Sequence, residues 1–152
     1  MNKNLIQKRF AKNLSTYNDN AKIQKIMAEK LVSLSARKDY DSILEIGCGT
    51  GLLTEKVLKN FTFNSYTAND IVADCKEYID KLSDRINFVH ADIEEIIRKS
   101  THKYDLIISN ATFQWIENFE EFLLSLLSKL NPGGTLSVSY THLRAHETGR
   151  NL

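Results

Sequence analysis

At 152 residues the chain has the length of a single domain and can bury about two-thirds of the surface its unfolded form exposes. Hydrophobic residues make up 42% and charged residues 26%, which excludes disordered and collagen-like classes. The net charge of +1 hides an asymmetry: residues 1–38 hold nine Lys/Arg against Asp19 and Glu29, so this segment is +7 and the remainder −6. A basic leading segment on an acidic domain points to an anionic partner or substrate, or only to a solvated helix face.

No apolar run approaches the roughly 18 residues of a membrane span, and the polar start Met1-Asn2-Lys3-Asn4 is unlike a secretory signal. Cys48 and Cys75 are the only cysteines and read as thiols of a reducing compartment. No Cys/His cluster has metal-ligand spacing. The expectation is a cytoplasmic protein with no metal, no membrane and no nucleic-acid partner.

The first forty residues read as a helical segment. Leu5, Ile6 and Phe10 precede a polar break at Asn13 to Asn20, after which Ile23, Ile26, Met27, Leu31 and Leu34 recur at helical spacing. That stripe is expected to be packing surface. From residue 42 the pattern alternates. Strands are expected at 42–46, 63–68, 86–91, 105–109 and 135–140, and helices at 51–60, 71–82, 93–99 and from Phe119 to Leu130. The run 105–109 is nearly all apolar, as a central parallel strand should be. Asn131-Pro132-Gly133-Gly134 is a strong stop for the last helix. This βαβαβαβαβ order demands an α/β fold, a Rossmann-like, doubly wound, mostly parallel sheet with helices on both faces.

Glu45-Ile46-Gly47-Cys48-Gly49-Thr50-Gly51 sits where the first strand becomes a helix. Alternating glycines allow a sharp turn and a close approach of backbone to ligand, with amides at the helix start facing it. Dinucleotide-binding folds also use a Gly-rich first turn, and a tight turn without ligand is the bland alternative. The spacing here is G-x-G-x-G, and an acid, Glu45, precedes the loop. That combination resembles motif I of the class I S-adenosylmethionine-dependent methyltransferases, whose loop wraps the methionine part of the cofactor.

The resemblance carries over to the loops beyond the strand ends, where open α/β sheets bind ligands. After the second strand, Asp70 stands where the family uses an acid to accept hydrogen bonds from both ribose hydroxyls, with Ile71 beside it. Its bland role is the N-cap of a helix starting at Ile71. After the third strand, Asp92 is implied against the adenine amino group, with Ala91 or Ile93 beside the ring. Asp92 as a cap is the alternative. After the fourth strand, Asn110 can present its amide or carbonyl to the methionine end, and Phe113 and Trp115 an apolar wall beside a sulfonium cation. The implied cofactor set is Glu45, Gly47, Cys48, Gly49, Gly51, Asp70, Ile71, Asp92, Ile93 and Asn110, with S-adenosyl-L-methionine as the cofactor.

Arg9-Phe10-Ala11-Lys12, Thr16-Tyr17-Asn18, Ala21, Gln24 and Ala28-Glu29-Lys30-Leu31 resemble the start of the malonyl-acyl-carrier-protein O-methyltransferases of biotin synthesis. Ser109-Asn110-Ala111 with Gln114-Trp115 fits the same group, and trans-aconitate methyltransferases share the Phe-Gln-Trp stretch. The resemblance covers about residues 5–139. It implies methyl transfer to a free carboxylate, an acyl-carrier protein or small carboxylic acid as partner, and Tyr17 as the residue folding over the cofactor and touching substrate. Another small-acid methyltransferase and a non-catalytic cofactor-binding fragment are the competing readings. A nicotinamide dehydrogenase is disfavoured by the glycine spacing. A nucleic-acid methyltransferase is disfavoured by the lack of an Asn/Asp-Pro-Pro-Tyr motif at Asn110.

Residues 141–152 have no apolar period and resemble translated adapter sequence. The expected division is a helical segment at 1–40, a cofactor-binding core at 41–140, and a non-native tail at 141–152 on a chain cut short after the fifth strand.

Overall fold

The structure, a computed structural model, describes residues 3–5, 7–8, 22–110 and 116–139. Tyr17, Ala111, Phe113, Trp115 and the tail from 141 onward lie outside the described residues.

The chain alternates helix and strand as α1 (Lys22–Ser33), β1 (Asp39–Ile46), α2 (Leu52–Asn60), β2 (Thr62–Asp70), α3 (Cys75–Leu82), β3 (Ile86–His90), α4 (Ile93–Lys99), β4 (Tyr104–Asn110), α5 (Phe119–Leu127) and β5 (Leu130–Ser139). The strands form one sheet in the order β3-β2-β1-β4-β5, every pair parallel. The chain moves outward from β1 to β3, then crosses back to β4 on the other side. The order therefore reverses between β1 and β4, and a crevice is expected there at the strands' carboxyl ends.

Alternation along the central strands sends successive side chains to opposite faces. On β1, Ile43 joins the α1, α2 and α3 side with Leu31, Val57, Ile79, Leu106 and Ile108. Leu44 and Ile46 point the other way, toward Ile93, Ile97, Ile107, Phe122 and Leu126 under α4 and α5. Both faces of the middle strands are covered, which is why Leu106, Ile107 and Ile108 run unbroken at the centre of β4.

Three expectations need correction. The stripe on α1 is only partly the packed face: Leu31 is buried and Met27 half-buried, alongside Ala28 and Val32, whereas Ile23 and Ile26, and Leu34 just past the helix, are 71%, 63% and 72% exposed. A 3.6-residue repeat leaves two apolar arcs on this helix, and only the sheet below decides between them. The third helix begins at Cys75 rather than Ile71, because Asp70 Oδ1 accepts from the Val72 amide at 2.9 Å and winds Ile71–Asp74 into a turn. Asp70 is thus a turn former, and Asp74 takes the N-cap position.

The last correction concerns Asn131–Gly134. Helix α5 ends at Leu127, and Leu130 already pairs with Tyr104, while Thr135 pairs with Leu106. The four residues between them bulge out of the ladder instead of separating helix from strand. Pro132 has no amide to give a ladder and fits only at such a break. Gly133 takes φ +79°, and the Asn131 Nδ2 donates to Asp105 Oδ1 at 3.1 Å to pin the bulge.

Candidate cofactor site

The loop after β1 is built from left-handed glycines: Gly47, Gly49 and Gly51 have φ of +69°, +54° and +94°. Side-chain-bearing residues resist that region, so alternate glycines are what the turn requires. The loop is tied down by its own backbone. The Cys48 amide donates to the Asn69 carbonyl at 2.9 Å, the Gly51 amide to the Cys48 carbonyl at 3.0 Å, and the Glu55 amide to Gly51 at 2.9 Å, starting α2.

Asp70, at the carboxyl end of β2, is the second anchor. Its Oδ2 accepts from the Gly49 amide at 2.8 Å while Oδ1 holds Val72. Burial pushes this carboxyl up, opposed by the Val72 and Gly49 amides and by the Cys75 thiol. The Ile71 amide bears on it as well, so three backbone amides and a thiol surround this carboxylate and fix its orientation.

Glu45 lies beneath the loop and is almost wholly buried. Its Oε1 accepts from Thr54 Oγ1 of α2 and from Tyr66 OH of β2, each at 2.6 Å. Burial raises it to about 7, against the pull of those two hydroxyls, with nearby Asp70 adding to the rise. Its side chain therefore braces strand against helix. The thiols of Cys48 and Cys75 are pushed up by burial, and the neighbouring acids Glu45 and Asp70 add to it. Neutral, buried thiols are structural rather than nucleophilic.

The next strand ends fall in line. Asp92 caps α4 by accepting from the Glu94 amide at 3.0 Å, and its Oδ2 meets the Lys3 ammonium at 2.9 Å. Ile93 is buried in the α4/α5 core, while Ile71 is half-buried and packs against the core on the other face. Asn110, ending β4, donates through Nδ2 to the Gln24 carbonyl of α1 at 2.9 Å and accepts from Ser139 Oγ at 2.5 Å. Its amide thus joins α1, β4 and β5.

The sequence reading brought together Glu45, the three glycines, Asp70, Asp92 and Asn110 at one edge of the sheet, and the structure carries them on the ends of adjacent strands. It missed the residues that brace them. Asn69 donates from Nδ2 to the Ala91 carbonyl at 2.7 Å, tying the β3 loop to β2. Ser109 Oγ donates to the Ile46 carbonyl at 2.9 Å, tying β4 to β1 beside the glycine loop. Thr54 and Tyr66 hold Glu45. A signal existed for Tyr66, since a tyrosine inside a buried strand needs a partner for its hydroxyl. Among the described residues no group of His, Cys, Asp and Glu is arranged to hold a metal ion. Nor, among them, is any helix long and apolar enough to cross a membrane.

A family profile described as a methyltransferase domain matches residues 19–151. The malonyl-[acyl-carrier protein] O-methyltransferase of Chlorobium luteolum is 37% identical over 141 residues, 87% of this chain and 53% of that protein. The protein of the same name from Priestia megaterium is 39% identical over 91% of this chain and 52% of its own length. The chain spans about half the length of these curated relatives. Among solved structures, the plantazolicin methyltransferase BpumL with a pentazolic analogue and SAH matches with a TM-score of 0.69 at 23% identity, over 93% of this chain and 56% of that one. The N-methyltransferase NodS from Bradyrhizobium japonicum, in complex with S-adenosyl-L-homocysteine, gives 0.69 at 21% identity, over 86% and 70%. Likeness at that identity speaks for the fold, and the profile match over most of the sequence speaks for the family. By its sheet order, its glycine loop and that match, the chain belongs to the methyltransferase domain family.

Proposed function

We propose that this chain carries the cofactor-binding part of an S-adenosylmethionine-dependent O-methyltransferase that methylates the free carboxylate of malonyl-acyl-carrier protein, a step of biotin synthesis. The observation that carries the proposal is the joining of Gly49 to Asp70: a left-handed glycine loop whose middle amide is held by the acid of the neighbouring strand. Such a loop lets bare backbone come close to a ligand, and Asp70 stands beside it as the acid for the ribose hydroxyls. The names of the relatives support the choice of acceptor.

S-adenosylmethionine, when bound, supplies a methyl group activated on a sulfonium. The chain's residues do the rest. Gly47, Cys48, Gly49 and Gly51 fit the methionine end, and Glu45 holds the loop from beneath through Thr54 and Tyr66. Asp70 and Ile71 take the ribose, Asp92 and Ile93 the adenine, and Asn110 the methionine end through its main chain, since its side chain already joins Gln24 and Ser139. Tyr17 is proposed to close over the site and touch substrate. The acceptor carboxylate is ionised at pH 7, so no general base is required and positioning with exclusion of water is the main contribution.

Calorimetric titration with S-adenosylhomocysteine and a methyl-transfer assay on malonyl-acyl-carrier protein test this. Saturable binding with transfer to the malonyl carboxylate is expected. Transfer to trans-aconitate or another small acid in its place would move the acceptor to that class, and absence of S-adenosylhomocysteine binding would sink the cofactor assignment.

A further inference from the structure

Helix α1 presents to solvent a face that packs against no other element among the described residues. Ile23 and Ile26 lie on it at 71% and 63% exposure, three residues apart on one side of the helix, and Leu34, in the turn that follows Ser33, is 72% exposed. Lys22 and Lys30 share that face and Lys25 flanks it, all three exposed and without an ion pair among the described residues. The helix has one acid, Glu29, and that is taken by Lys56 of α2 at 3.2 Å. What remains is an apolar strip bordered by uncompensated ammonium groups, on a chain whose net charge is only +1.

We propose that this face of α1 docks an acidic carrier protein through a helix that sets apolar side chains between carboxylates. The inference rests on the functional reading above and assigns the docking surface that reading lacks. Complementarity of charge selects the partner, and the exposed isoleucines supply the apolar centre such an interface buries. Position supports it as well. The Gln24 carbonyl accepts from Asn110 at the carboxyl end of β4, so the N-terminal end of α1 lies at the rim of the candidate cofactor site. A carrier seated there places its acyl-bearing arm beside the strand ends. A lipid surface fits less well: a 12-residue helix with two exposed isoleucines and no aromatic residue buries little in an interface.

The test is an anisotropy titration of fluorescently labelled malonyl-loaded acyl-carrier protein against the wild-type chain, the double variant Lys22→Glu/Lys30→Glu, and Ile26→Ser. All three substituted side chains are exposed, so thermal unfolding and S-adenosylhomocysteine affinity stay at wild-type values. Carrier affinity is expected to fall about tenfold or more in the charge-reversal variant and to weaken as salt rises. Ile26→Ser should weaken binding at all salt concentrations, which a purely electrostatic attraction would not produce. Carrier affinity within twofold of wild type in both variants overturns the docking surface. So does preferential binding of the wild-type chain to phosphatidylglycerol vesicles over carrier. Failure of the functional reading is seen separately. If malonyl-acyl-carrier protein is methylated and the variants leave its KM unchanged, only the docking face falls. If carrier binds through this face but no malonyl thioester is methylated, the face stands and the assigned reaction falls.

Discussion

The Gly49 amide donates to Asp70 Oδ2 at 2.8 Å, so the middle of the glycine loop after β1 is held by the acid that ends β2. The two residues are 21 positions apart in sequence, and each lies on a loop whose shape depends on the other. The same carboxylate winds the turn before α3 through the Val72 amide. The glycine loop and the turn before α3 are therefore coupled through one side chain.

Asp70→Ala should leave the Gly49 and Val72 amides without their acceptor. An unsatisfied buried donor costs about 1–3 kcal/mol, which denaturant unfolding will read as lost stability. Affinity for S-adenosylhomocysteine should fall about tenfold or more on the same arithmetic, and calorimetry will read it. Unchanged affinity would remove Asp70 from the site.

For Gly49→Val the expected balance is different. A branched side chain at φ +54° is strained by about 1–3 kcal/mol and also stands on the face a ligand would approach. Binding should be abolished while a folded, though less stable, chain remains by circular dichroism. Normal binding by a folded variant would reduce the loop to a structural turn.

Glu45 makes a pH prediction. Its carboxyl is held near 7 in the folded chain, mainly by burial, against an ordinary value of 4.5. Between those values the unfolded chain releases a proton that the folded chain keeps. Stability from this group is therefore full below about 4.5, is lost as pH rises toward 7, and is flat beyond, by about 3 kcal/mol at most. Asp70, also raised, works in the same direction. Glu45→Gln should flatten most of this slope, because its carbonyl still accepts from Thr54 and Tyr66. Urea unfolding of both proteins from pH 5 to 8 checks it, and identical slopes would refute the account.

Asn110→Ala should loosen α1 from the sheet, since Nδ2 to Gln24 is a cross-link between that helix and the end of β4. Amide hydrogen exchange in α1 should accelerate relative to β1 and β4, with a stability loss of about 1–2 kcal/mol. Equal protection of α1 in both proteins would show that its apolar contacts at Ala28, Leu31 and Val32 suffice.

The sequence by itself determined the alternation of strand and helix, because buried parallel strands need apolar runs such as Leu106–Ile108 and the helices between them amphipathic stripes. The G-x-G-x-G loop was legible too, since only glycine tolerates three left-handed positions in five residues. The acids at successive strand ends could be read as candidates from their place in the alternation. Tertiary structure decided the rest. Which apolar arc of α1 packs depended on the sheet beneath it, and the exposed Ile23 and Ile26 look no different in sequence from the buried Leu31. The Asn131–Gly134 turn signal became a bulge because Leu130 finds Tyr104 across the ladder, a pairing 26 residues distant. The same holds for Glu45 with Thr54 and Tyr66, and for Asn110 with Gln24. Periodicity reports which face of an element is apolar, but a hydrogen bond between distant elements depends on where the folded chain brings them together.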